Sequence, residues 1–364
     1  MNNITPWNVE LENMPHFLKS VERVYAWYEG EVVDRAPIRF SQHNADYNTR
    51  EHAKTWPTLE DRWMDAEYAV DDYVKRLEGR PLLAETFPVY FPNLGPNWYA
   101  ACFGVPMEWG DVTAWAEPVI HDYEKDLPAV AFDINCAMFR KMEEMTDYAL
   151  SICEGKFMVG YTDLHPGIDC AMSLRGIENL LFDLIDRPEQ AEELIAKCEE
   201  PYREVFDHFD AKLKSHGLPS ATWMTVPSFG KLNIPSADIS AMVSKPVFGR
   251  FIYPVLEKEC GYFTHNIFHM DGKNVALHTD SILTLPNLNA IQWVQGVGLD
   301  APILQWIPYL KSILNAGKSV ILDLQVSELD PFIDEFDKPD GIMLCIPSSD
   351  EEEQQAIIKR VEKW

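Results

Sequence analysis

Short apolar runs rich in β-branched and aromatic residues alternate along the chain with longer stretches of helical periodicity. The strand-like runs fall at Ala36 to Phe40, Glu85 to Phe91, Phe157 to Thr162 and Ala221 to Val226 in the first part. They continue at Asn266 to Asp271, Ala290 to Val294, Ser319 to Val326 and Gly341 to Ile346. Helices are expected between them, over Thr58 to Arg80, Phe132 to Glu154, Gly176 to Ile185, Arg187 to His216 and Ser236 to Thr264. Others follow at His278 to Leu285, Ala301 to Ala316, Leu329 to Phe336 and Asp350 to Lys363. Strands separated by helices pair in parallel, because a parallel crossover needs a helix. Eight such units predict a single (β/α)8 TIM barrel, with an open doubly wound sheet as the other arrangement of the same pattern.

Local signals support the boundaries. Thr58 with Asp61 three residues on is a variant capping box, and Gly317 sits where a helix C-terminus wants a left-handed residue. The acidic run Asp350 to Glu353 suits the positive end of a helix dipole. Pro88 weakens the second strand. Residues 1–32 are expected to form a helical extension, and 33–364 the barrel. The aromatic segment Trp98 to Trp115 is read as an insertion after the second strand, a lid or a subunit contact. No internal repeat is present.

In a parallel barrel the chemistry gathers at the carboxyl ends of the strands. The residues falling there are His43 after the first run, Asn93 and Trp98 after the second, and Asp163 with His165 after the third. The later runs contribute His269 and Asp271, then Gln292 and Trp293, then Asp323, and finally Cys345. Residues two apart on a strand face the same way, so His269 and Asp271 share a face. With a thiolate from Cys345 they would make a three-ligand zinc site with one open position. The plainer alternatives are a hydrogen-bonded His–Asp couple and a buried cysteine serving as a small hydrophobe. Trp98 and Trp293 have core packing as their alternative role.

Composition narrows the partners. The formal charge is −27, from 31 Lys and Arg against 58 Asp and Glu. Such a surface repels nucleic acid and anionic lipid, and disfavours a polyanionic substrate unless basic residues cluster locally. Seven cysteines without a CxxC pair suggest reduced thiols in a cytoplasm rather than a disulfide framework. No signal peptide or membrane span is evident. No glycine-rich nucleotide loop follows any strand.

Several segments resemble the uroporphyrinogen decarboxylase superfamily: VDRAPIRF, FPNLGPNWYAACFG, GYTDLHPGIDCAMSLRGIENLLFDLIDRPEQ, MVSKPVFGRFIYPVLEKEC, FHMDGKNVALHTDSILTLPNLNAIQWVQGVG and GIMLCIPSSDEEE. The resemblance runs from about Val33 to the C-terminus and implies the (β/α)8 fold and a homodimer. The decarboxylase branch, which uses no cofactor, places paired arginines near the first strand; here IRFSQHNADYN supplies only Arg39. The positions of that branch's Tyr and late His fall near Met172 and Cys345, whereas Ser244 matches its Ser before Pro. The zinc-dependent methyltransferase branch carries His-x-Cys-Gly on the fifth strand and a Cys on the eighth. The sequence is similar to that pattern at His269, Asp271, Gly272 and Cys345, with Asp271 in place of the first Cys, a harder ligand set.

Three functions are therefore expected. The first is a zinc-assisted methyltransferase moving a methyl between a small molecule and a corrinoid carried by a partner protein. In it Asp163 and His269 are catalytic, and His43, Asn93, Trp98, Gln292 and Trp293 line the substrate pocket. The second is a cofactor-free decarboxylase of a smaller acid, with Asp163 or His269 as general acid and Arg39 or Lys231 seating the carboxylate. The third is a barrel that binds a ligand or partner without chemistry.

Overall fold

The computed structural model describes residues 9–41 and 54–364. Its centre is a parallel sheet of six strands in the order β1-β10-β9-β8-β7-β6. These are β1 (Ile38–Ser41), β6 (Leu232–Asn233), β7 (His265–Asp271), β8 (Leu288–Val294), β9 (Ser319–Asp323) and β10 (Ile342–Pro347). A second parallel ladder pairs β2 (Val89–Tyr90) with β5 (Met158–Val159). Backbone hydrogen bonds link residues flanking this ladder to β1 on one side and to the irregular segment after the helix Tyr202–Ser215 on the other. Glu85 N–H donates to Ile38 C=O (2.8 Å), and Tyr161 N–H donates to Ala221 C=O (2.8 Å). Gly160 lies at the second junction because a Cβ there would stand 2.8 Å from the Ala221 carbonyl oxygen.

The junction with β1 is fastened by a buried ion pair. The Arg35 guanidinium donates twice to Glu85, at 2.7 and 3.1 Å, and Glu85 also accepts from Ile38 N–H at 2.7 Å. Neither side chain is exposed. The expected N-terminal extension is the helix Phe17–Tyr28, and it packs into the same hydrophobic core as the sheet. Its Trp27 indole donates to Val320 C=O, so the helix is tied to the start of β9.

Five expected features take a different or sharper form. The helix over Thr58 to Arg80 divides into Leu59–Trp63 and Ala66–Leu77. The Thr58–Asp61 capping box is present, but Asp65 accepts from Tyr68 N–H and starts a second helix. The run Ala221 to Val226 forms no strand. Ser220 and Ser228 make an antiparallel bridge, and between them Thr225 adopts φ +58°. A β-branched residue in that region cannot continue a strand. Part of the Trp98–Trp115 insertion is the hairpin β3 (Met107–Trp109) with β4 (Ala114–Ala116). Gly317 takes φ +75° after the helix Ile307–Asn315, and Asp350 caps Glu351–Val361. Among the described residues no helix is long and apolar enough to cross a membrane.

Candidate active site at the carboxyl ends of the strands

Strand register decides which side chains share a face. His269 pairs with Gln292, and Asp271 with Val294. Arg39 pairs with Cys345, and Cys345 with Asp323. Neighbours in register on parallel strands point the same way. His269 and Gln292 confirm this with a hydrogen bond of 2.6 Å between imidazole Nδ1 and the amide oxygen. An oxygen acceptor requires Nδ1 to carry a proton. Trp223, released from a strand by the turn at Thr225, sets its ring edge-on to His269 with centroids 5.4 Å apart.

The proposed zinc ligands meet a different environment. Cys345 is buried, and its register neighbour Arg39 places a guanidinium beside the sulfur. Burial pushes the thiol up to about 12, against the pull of Arg39, so it is neutral at physiological pH. Asp271 is solvent-exposed on β7, three strand steps away through β8 and β9. Among the described residues no three His, Cys, Asp or Glu side chains are grouped to hold a metal ion. Among the described residues His269, Asp271 and Cys345 are therefore not gathered into one ligand group, and the Arg39 guanidinium adds positive charge beside the sulfur.

A second cluster lies after β5. His165 Nε2 is 2.8 Å from Asp163 Oδ2, and its Nδ1 is 3.3 Å from Ser236 Oγ and 3.7 Å from Asp169 Oδ2. Ser236 also donates to Asp169 (3.2 Å), and Asp238 N–H donates to the same carboxylate (3.1 Å). Burial opposes a charge on His165. The Asp163 and Asp169 carboxylates outweigh it and hold the imidazole well above its usual range, so His165 is an imidazolium. The Asp238 carboxyl is raised to about 6 by loss of surrounding water, with Asp169 and Asp271 adding to the rise and His165 and His269 opposing it. Asp238 is exposed to solvent. It is a carboxyl suited to exchanging protons near neutral pH.

Beside β1 lies a cleft of about 560 Å³, with Arg39, Arg62, Arg76 and Arg80 in its lining and Trp223 on its inner wall. The same lining carries Asp72 and Asp111, which pair with Arg76 and Arg62, so four arginines face two carboxylates in a chain of charge −27. Each is braced. Arg39 donates to Met224 C=O, Arg62 to Gly110 C=O and Asp111 C=O, Arg80 to Phe40 C=O, and Arg76 pairs with Asp72. The Nε of Arg39 is buried without a hydrogen-bond partner among the described residues.

The expected pocket residues distribute unevenly. Asn93 lines the cleft, where its Oδ1 accepts from Gly95 N–H at 2.8 Å. Gln292 orients His269. Trp293 pairs with Met270 in register and so faces away from His269. It is fully buried against Trp306 and Tyr309 of the neighbouring helical segments. Trp98 is likewise core, donating to Met138 C=O and packing on Phe139 and Phe209. Both take the packing alternative because an apolar ring recovers more free energy inside than at a wet mouth. Lys231 is engaged by Asp207 at 2.6 Å and by the Tyr262 hydroxyl, so it seats no substrate. His43 lies outside the described residues.

The sequence reading missed Asp169, Ser236, Asp238, Trp223, Arg62, Arg76 and Arg80. Two signals were available: Asp169 stands four residues after His165, and Arg76 and Arg80 are four apart at the end of an amphipathic stretch.

The fold is similar to that of a methyltransferase from Methanosarcina mazei, with a TM-score of 0.62 over 94% of this chain and 98% of that chain at 13% identity. At that identity the likeness is one of fold. No family model matches the sequence. No curated protein matches it.

Proposed function

We propose that this protein is a methyltransferase for a small anionic molecule, built on a (β/α)8 barrel whose ring is completed by the short β2 and β5 segments. The observation that carries the reading is the arginine-lined cleft whose wall, Trp223, contacts His269. The fold shared with a methyltransferase is consistent with it. Arg39 seats the substrate's anionic end, and Trp223 offers a ring face or edge to its body. The heteroatom that gives up the methyl needs a proton, which Asp238 or the His165 imidazolium supplies. In the specific form of the proposal the methyl passes to a corrinoid on a partner protein docked over the strand ends. A homodimer in the cytoplasm is part of the same reading.

The arginines equally favour a second reading, decarboxylation of a small acid, with the same cluster protonating the carbon that loses CO2. One experiment separates the two. Methylated aromatic and aliphatic carboxylates are incubated with the protein and reduced cobalamin as the probe acceptor. A demethylated acid with methylcobalamin supports methyl transfer, and CO2 release supports decarboxylation. Arg39→Gln should weaken carboxylate binding about tenfold or more, the worth of a charge-assisted hydrogen bond. Neutral amides binding as well as the acids, with Arg39→Gln indifferent, would remove the proposal.

A further inference from the structure

Of the seven free cysteines, two pairs lie in thiol–thiol contact, Cys170 with Cys198 and Cys102 with Cys136, and only the second pair includes a partly exposed cysteine. Cys136 is only partly buried and is the N-cap of the sixteen-residue helix Ala137–Ile152. Its Sγ accepts the Phe139 N–H at 3.3 Å, the place where an oxygen acceptor is usual. A thiolate is the better acceptor there and gains from the positive helix end. Cys102 is fully buried, and its thiol lies in hydrogen-bond contact with Cys136. The backbone locks the two segments together: Asp133 N–H donates to Cys102 C=O at 2.8 Å, and Cys136 N–H to Asp133 C=O at 3.1 Å. Aromatic pairs, Tyr99 with Phe132, Phe103 with Phe132 and Phe132 with Phe139, wall the site.

We infer that Cys136 and Cys102 form a peroxide-sensitive dithiol site, with Cys136 the attacking thiolate and Cys102 the resolving thiol. The roles follow from position, because only Cys136 can be reached from solvent and only it faces a row of helix N–H groups. Titration agrees in direction. The hydrogen bond from Cys102 leads in pulling Cys136 down to about 6, against burial and the nearby Asp133 carboxylate. Burial drives Cys102 the other way and keeps it a neutral donor.

The chemistry balances with hydrogen peroxide as oxidant. The Cys136 thiolate attacks one peroxide oxygen. The O–O bond breaks, hydroxide leaves, and Cys136 becomes a sulfenic acid. The Cys102 sulfur then attacks the Cys136 sulfur as its proton departs, the S–O bond breaks, and water leaves. Two thiols lose two electrons in total and one peroxide becomes two waters. The product links the Trp98–Ala101 helix to the start of Ala137–Ile152. This site lies away from the strand-end cluster and does not depend on the methyltransferase reading.

The full chain would be treated with one equivalent of peroxide and mapped by mass spectrometry without reduction. A Cys102–Cys136 linkage that dithiothreitol reverses is expected. Cys136→Ser should abolish it, and Cys102→Ala should instead leave Cys136 as a sulfenic acid captured by dimedone. In untreated protein, iodoacetamide should modify Cys136 first, at a rate that is half-maximal near pH 6. Oxidation of any other cysteine ahead of Cys136, or a stable Cys136 sulfenic acid with Cys102 intact, would overturn the assignment.

Discussion

Replacing Trp293 tests which way β8 faces. Sequence position puts this residue at a strand end beside the substrate, whereas register and packing put it in the core against Trp306 and Tyr309. A fully buried Trp withdraws up to about 250 Å² from water, worth about 6 kcal/mol at 25 cal/mol per Å². That figure is an upper bound, since the unfolded chain is itself partly compact. The indole Nε1 of Trp293 has no hydrogen-bond partner among the described residues, which costs about 2 kcal/mol. Trp293→Ala should therefore destabilise by about 4 kcal/mol, within the usual range for such truncations. Unfolding entropy of about 2.1 cal/mol/K per residue makes 1 kcal/mol worth a little over 1 °C in a chain of this size, so the midpoint should fall about 5 °C. Trp293→Phe keeps a ring in place and removes the orphaned N–H, so it should stay within about 1 kcal/mol of the parent. Thermal melting followed by circular dichroism measures both, and calorimetric titration with a bound carboxylate should show unchanged affinity in the Phe variant. If Trp293→Ala melted like the parent but lost ligand binding, the side chain would face the mouth and the register argument would fail.

Further outcomes follow from the same geometry. Glu85→Gln strands the buried Arg35 and should cost about 3–5 kcal/mol, read as a fall of about 4–7 °C in melting temperature; a change under 1 °C would show that the pair is not buried in solution. His165 binds its proton more tightly folded than unfolded, so the stability it adds is complete below its unfolded value near pH 6.5 and is lost as pH rises through the higher folded value. The stability gap between the parent and His165→Asn should accordingly shrink from about pH 6.5 towards alkaline pH, and a gap independent of pH would refute the ion pair. Protein purified without chelator should hold less than one zinc per chain, and Cys345→Ser should not change that content, because Arg39 sets a positive charge beside Cys345. One zinc per chain, lost in Cys345→Ser, would reverse that conclusion.

Much of the frame was legible from local physics. Alternating strand and helix periods specified parallel pairing, and Thr58, Gly317 and Asp350 marked helix ends, because caps and periodicity depend on residues within a few positions of each other. The same locality identified the β7 segment carrying His269 and Asp271, since every second residue of a strand shares a face. What could not be read was which distant side chains meet. Arg39 beside Cys345 depends on β1 pairing with β10, strands from opposite ends of the chain. The arginine cleft likewise unites residues from a strand, two helices and a loop. Trp293 was placed on the wrong side because position along a strand does not say which face holds the core until the neighbouring helices are present. Sequence alone thus determined the order and kind of most elements, which short-range sterics and hydrogen bonding control, but not the loss of a strand at Ala221 to Val226. The site belongs to the tertiary structure, because its charges and rings act over a few ångströms between residues that only folding brings together.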